Sequence, residues 1–305
     1  MNQTLNGIRR ILITILVAMG VGALFIVAIG ENPIDAYAAL FRGAFDGKLC
    51  LGTTLAGFTP LLLTSIAFAV AAKAGAFNVG VEGEVFLGGI TAAYIGINWT
   101  FLPKPALYVA CFVGAMVVAA AWAFIPAVLR AYYNVNEVCT TILMNTVALY
   151  ITSYLVSGPM SAGTANAQSL PVTVRLYQFM KPSSVNVGIF IAAITVIVII
   201  FMLQKSSWGY KIRTVGLNPT HADYVGIDSK KVFIGAMMLS GMLGGMAGCI
   251  EVLGVHGYFL NNFATGLGSN GMLAALIVKN NMVSTPFMAF FLAVLKSGAM
   301  GMQQS

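Results

Sequence analysis

The side chains able to do chemistry in this 305-residue chain are few, and they gather in short stretches. Residues 77–84 read Phe-Asn-Val-Gly-Val-Glu-Gly-Glu, which brings Asn78, Glu82 and Glu84 together. Asn78 is placed to cap a following helix, where acids in the first turn oppose the positive end of the dipole. The alternative use of these acids is contact with a transported solute. Asn136 and Glu137 open the next polar stretch. Glu137, Thr141 and Asn145 recur every four residues, so they share one helical face. A polar stripe in an apolar helix either lines a wet pathway or glues helices together by hydrogen bonds. Glu251 follows Ser240-Gly-Met-Leu-Gly-Gly-Met-Ala-Gly, in which Gly241/Gly245 and Gly244/Gly248 are overlapping G-x-x-x-G pairs. Such pairs let another backbone come close. Glu251 is then either a structural partner or part of a moving gate.

Other chemistries fail on spacing. The nearest approach to a phosphate-binding G-x-x-x-x-G-K-[S/T] is Gly47-Lys48, but Arg42 stands at the first glycine and Leu49 at the hydroxyl position. Gly266, Gly268 and Gly271 match G-x-G-x-x-G, yet no strand precedes them. They read as a glycine turn. The two histidines, His221 and His256, fall on opposite sides of the expected membrane, and the four cysteines lack C-x-x-C spacing. No metal centre, cofactor or hydrolytic triad is expected. An intramembrane enzyme would need paired acids or a nucleophile deep in a span, where only Glu251 stands.

The elements that must hold these residues are set by composition. Hydrophobic residues make up 59% of the chain, charged residues 8%, and mean hydropathy is +0.88. Soluble domains carry about 25% charged residues. A water-soluble enzyme, a disordered chain and a nucleic-acid binder are excluded, because the net charge of +7 is spread thinly along the chain. The expected fold is an all-α polytopic membrane bundle, read as one domain over residues 1–305. Apolar runs at 11–29, 51–72, 85–97, 106–129, 138–157, 187–203, 232–255 and 286–299 are the expected spans. The third is short and is expected to begin near Val79. The first run is longer than a signal-peptide core and reads as an uncleaved anchor. Residues 272–278 are too short to cross and read as a half-helix beside a cavity.

Lysine and arginine counts orient the bundle. One side would carry Arg9, Arg10, Lys73, Arg130, Lys205, Lys211, Arg213, Lys230 and Lys231; the other would carry Arg42, Lys48, Lys104, Arg175 and Lys181. Lys279 and Lys296 are not assigned to either. The richer side is cytoplasmic, which places the N-terminus inside. Within the inner loop, Asn218 is a good N-cap, Pro219 suits the first helical position, and Gly226 ends the helix. Two turns of helix are not stable alone. This knob must rest on the bundle, on a partner, or on both.

Four motifs in order carry a resemblance: residues 77–84; residues 136–145; Gly216-Leu-Asn-Pro-x-x-Ala-x-Tyr-x-Gly-Ile227; and Gly248-Cys-Ile-Glu-Val-Leu-Gly-Val-His-Gly257. From Leu51 onward the chain resembles the permease subunits of bacterial nucleoside ABC importers, within the branched-chain amino acid and ribose permease superfamily. The resemblance implies an alternating-access bundle of the vitamin B12 importer class in the bacterial inner membrane. It implies that Gly216, Asn218, Pro219, Ala222, Tyr224 and Gly226 form a coupling helix docked on a separate ABC ATPase, which would bind the ATP. It implies a second permease, a homologous sister or another copy, and an external substrate-binding lipoprotein. The substrate-pathway candidates are Asn78, Glu82, Asn136, Glu137, Thr141, Asn145, Glu251 and Asn270. Asn270 stands in Gly268-Ser-Asn-Gly-Met272, where the family has an aspartate-bearing Gly-Phe-Asp-Gly-Ile, so the polar contact would be weaker or the solute different. Family members continue into a further span after residues 286–299, so either the sequence is a fragment or its bundle is short of one helix. The competing readings are a permease for a simple sugar such as ribose, and a secondary transporter or facilitator.

Overall fold

A computed structural model describes residue 17 and residues 19–164 and 166–303. Arg9, Arg10 and most of the start of the expected first span lie outside the described residues. The described chain begins with α1 (Met19–Ile29), which bends by 115° into α2 (Pro33–Phe45). This segment, residues 33–45, lies between the first two expected spans. It is a helix because Asn32 accepts from the Ile34 N–H at 3.0 Å and Pro33 fits the first turn. Gly43 of α2 meets Gly301 of the last helix backbone to backbone.

Nine further α-helices follow up to the last: α3 (Gly47–Lys73), α4 (Val81–Asn98), α5 (Lys104–Tyr133), α6 (Glu137–Ser157), α7 (Gly188–Lys205), α8 (Ser207–Leu217), α9 (Pro219–Tyr224), α10 (Ser229–Ile250) and α11 (Leu267–Ile277). The last is α12 (Thr285–Met302). A π-helical turn, Glu251–His256, extends α10. Among the described residues only isolated β-bridges occur, such as Gln168 with Leu260. Among the described residues, six helices are long and apolar enough to cross a bilayer: α3, α5, α6, α7, α10 with its π turn, and α12. The protein is therefore a multi-pass helical membrane bundle.

Two expectations shift. The third span starts at Val81 and does not reach the apolarity of the six, because Glu82 and Glu84 lie in its first turn. Protein shields it: α4 packs between α5, α6 and α10, and most of its length is buried. The half-helix begins at Leu267, five residues earlier than the apolar run. Gly266, at φ +79°, turns the chain into it. Its 11 residues cover only about 16 Å, half a bilayer core.

The centre of the bundle is α10. Its two G-x-x-x-G pairs point at different neighbours. A Cβ at Gly241 or Gly245 would meet the carbonyls of Ala119 or Ala115 on α5, at 2.6 and 2.4 Å. A Cβ at Gly248 would meet the Val85 carbonyl on α4 at 2.0 Å. In lipid, helices gain little from apolar burial against each other, so this close backbone packing carries the association.

One end of the bundle gathers α8, α9, the C-terminal ends of α3 and α11, and the start of α10. Gly216 of α8 packs on the Lys73 carbonyl, and Lys73 and Arg213 share a hollow with Lys279. Lys279 thereby joins the cation-rich side. The outer loop 158–187 lies across the opposite end.

Candidate functional site

A cavity lined by two of the sequence candidates, Glu251 and Asn270, lies between α3, the π turn, the start of α11 and α12. Its volume is about 570 Å³. Glu251 and His256 project from the π turn, Asn270 from α11, Lys296 from α12, and Thr53 from α3. Phe263 and Leu267 add apolar wall.

The π turn explains why Glu251 and His256 meet. In an α-helix, residues five apart are turned about 140° from each other. The i→i+5 pattern of a π turn returns them to one face. His256 Nε2 lies 3.7 Å from Glu251 Oε2. Looser winding disturbs the backbone ladder, and the outer loop supplies partners. Leu176 N–H donates to the Leu253 carbonyl at 2.9 Å, and Gln178 Nε2 to the Gly254 carbonyl at 2.9 Å. Arg175 Nη2 reaches the His256 carbonyl at 3.4 Å. Gly254 leaves room for Asn186, whose side chain would lie 2.4 Å from any Cβ there. Irregular backbone at depth is tolerated where protein completes its hydrogen bonds.

The sequence candidates divide. Glu251 and Asn270 line the cavity. Asn78, Glu84 and Ser240 form a buried tie between the α3–α4 break and α10. Asn78 Nδ2 donates to Glu84 Oε1 at 2.8 Å and to Ser240 Oγ at 2.9 Å. Asn78 is not the helix cap expected of it. It accepts from the Gly80 N–H at 2.9 Å, one step ahead of the helix, and Gly80 is the N-cap. Glu82 sits at the α4–α11 contact, 3.5 Å from Ser269 Oγ.

The stripe on α6 faces protein, not the cavity. Asn136 caps α6 through the Val138 N–H at 2.9 Å. Glu137 pairs with Arg130 at 3.1 Å. Thr141 is buried and donates to the Glu137 carbonyl at 2.7 Å. Asn145 receives the Gly83 N–H at 2.8 Å and donates to the Val79 carbonyl at 2.9 Å. The contacts of Glu137 and Asn145 join α6 to its neighbours, while those of Asn136 and Thr141 stay within α6.

His256, Lys296 and Thr53 were not among the sequence candidates. Lys296 carried a signal: an ionisable residue inside an apolar span normally faces a cavity or a partner. His256 carried none, because an α-helical reading turns it away from Glu251.

At the cation-rich end, α9 forms between the expected caps. Asn218 Oδ1 accepts from the His221 N–H at 3.0 Å, and Gly226 sits at φ +81°. Ala222 is fully buried, so it anchors the knob to the bundle instead of facing outward. Tyr224 is 85% exposed and Leu217 88%. Asp223 ties the knob to α10, accepting from the Ser229 N–H at 2.9 Å and from its hydroxyl at 3.0 Å. Asp228 caps α10, and the Lys231 N–H it accepts, together with the Lys231 ammonium, holds its carboxyl below the usual range.

Residues 51–305 match the family described as branched-chain amino acid transport system/permease component. The chain is 31% identical over 99% of its length to the nucleoside ABC transporter permease protein NupB of Lactococcus lactis, covering 86% of that protein. It is 33% identical over 95% of its length to the guanosine ABC transporter permease protein NupP of Bacillus subtilis, covering 85% of it. It is 32% identical over 94% of its length to the glucose ABC transporter permease protein TsgB13 of Haloferax volcanii, covering 78% of it. No solved structure matches the chain significantly.

Proposed function

The chain belongs to the branched-chain amino acid transport system/permease component family and is a transport permease, and from that premise we propose that it forms the membrane pathway for nucleoside uptake in an ATP-driven importer. The observation that carries this reading is the cavity bounded by Glu251, His256, Asn270 and Lys296. Its volume of about 570 Å³ lies within the range of small-molecule sites. Carboxylate, amide and ammonium groups suit ribose hydroxyls and base edges. His256 and Phe263, with ring centroids 5.8 Å apart, offer faces and edges to a planar base.

The energy comes from elsewhere: the chain has no phosphate-binding loop, and ATP is bound by a partner ATPase. That partner docks on the knob, where Tyr224 of α9 and Leu217 at the end of α8 leave two large side chains in solvent. The docking end is cytoplasmic, in the bacterial inner membrane, with the N-terminus inside. A second permease, sister or copy, completes the pore, and an external lipoprotein delivers the solute. Alternating access follows the vitamin B12 importer class, with the chain as a single membrane domain. Simple-sugar transport is the second reading, favoured by the relative named for glucose. The aromatic pair in the cavity wall favours a base. The knob separates both from an unpowered facilitator, which has no use for it.

Reconstitution with the ATPase, the second permease and the binding lipoprotein tests the reading. Labelled guanosine should enter vesicles only with ATP, and unlabelled glucose should not compete. Glucose uptake with no nucleoside uptake would overturn the cargo and leave the permease.

A further inference from the structure

At the α9 end, away from the cavity, a hollow of about 410 Å³ opens between the end of α3, the α7–α8 elbow and the turn after α11. Lys73, Arg213 and Lys279 come into it from these three elements, with Asn281 beside them and Leu203 and Met282 as apolar wall. None of its lining residues is acidic. Among the described residues, no ion pair involves any of the three cations. Like charges brought together from separate elements repel unless an anion lies between them.

The backbone adds a second observation. Lys279 and Asn280 are both in the left-handed region, at φ +54° and +56°. Residues with a side chain seldom occupy it twice in succession. The strained turn closes when the Asn280 N–H donates to the Ala275 carbonyl at 2.8 Å. Arg213 Nη1 donates to the Leu203 carbonyl, which fixes the guanidinium and leaves other N–H groups directed elsewhere.

We propose that this hollow binds the phosphate-bearing headgroup of an anionic phospholipid in the leaflet at the α9 end. A free phosphate has the same charge chemistry. The lipid is favoured because the hollow lies where α3 and α7 end, at the level of headgroups, and its Leu203 and Met282 wall suits the first carbons of the lipid. Basic hollows between spans at this level are known headgroup binders. The site is independent of the cargo.

Phosphatidylglycerol retention is the test, read by native mass spectrometry on the purified importer complex released from mixed phosphatidylglycerol/phosphatidylcholine nanodiscs. The wild-type chain should keep phosphatidylglycerol in preference to phosphatidylcholine. The double variant Lys73→Gln/Lys279→Gln should lose at least about tenfold of that preference. Arg213 is left in place because it supports the α7–α8 elbow. If the double variant does not assemble, Lys279→Gln alone, at an exposed position, should still show a several-fold loss. Unchanged preference in the assembled variant overturns the site. Displacement of the lipid from wild type by millimolar inorganic phosphate overturns the lipid as its source.

Discussion

Glu251 and Lys296 come from different helices yet face one cavity with His256 and Asn270. Opposite charges placed there would strengthen contacts with a hydroxyl-rich solute, since fields inside the bundle are poorly screened. A hydrogen bond to a charged group contributes about 1.5–3 kcal/mol. Glu251→Gln should therefore raise the KM for nucleoside uptake about 10- to 100-fold while the complex still assembles. Concentration-dependent uptake into vesicles measures it, and an unchanged KM removes Glu251 from the pathway. Asn145 should behave in the opposite way. Its amide satisfies a buried N–H of Gly83 and the carbonyl of Val79. Asn145→Leu should cost about 1–3 kcal/mol of stability, seen as a lower melting temperature, with the KM of the surviving protein unmoved. A raised KM with normal stability would return the α6 stripe to the transport pathway.

Between residue and bundle stand α9 and α10, which form one mechanical unit. Asp223 binds the start of α10; α10 presses its glycines on α4 and α5; and its π turn presents Glu251 to the cavity. A push on the knob thus reaches the cavity along one continuous helix. Tyr224→Glu should leave the bundle folded and uncouple ATP hydrolysis from uptake. The readout is the ratio of solute moved to ATP hydrolysed, expected to fall at least about tenfold on loss of an aromatic anchor that docking would bury; a normal ratio would count against docking there. Ala222→Glu should instead prevent assembly, because Ala222 has no room for a charge. The caps of α9 were legible in the sequence because Asn, Pro and Gly act locally. Which face of the knob was free was not, because two turns give too little periodicity to orient a helix. The π turn was hidden for a related reason: it depends on partners such as Arg175 and Gln178, more than 70 residues away in the chain.

For the whole molecule, composition alone required a membrane bundle, and the expected spans from residue 51 onward followed to within a few residues. The exceptions were set by tertiary shielding. The α4 helix carries two acids because other helices enclose it, and α2 is a helix that packs its glycine against α12. Apolar burial also divides the helices by role. The apolar window of α3 is 78% buried and that of α6 only 17%, so α6 is left to face lipid or a second permease. Orientation is the property on which docking depends. Lys73, Arg130, Lys205, Lys211, Arg213, Lys230, Lys231 and Lys279 lie at the α9 end, against Arg42, Lys48, Lys104, Arg175 and Lys181 at the other. Such an excess predicts that the α9 end is cytoplasmic. Thiol labelling reads the sidedness directly. In a background with Cys50 and Cys139 changed to Ser, the remaining Cys111 and Cys249 are buried. An impermeant maleimide should then label Tyr177→Cys, 72% exposed in the outer loop, in intact cells. Tyr224→Cys should react only after the membrane is opened, and less when the ATPase is bound. Labelling of Tyr224→Cys from outside would invert the bundle and place the knob where no ATPase could reach it.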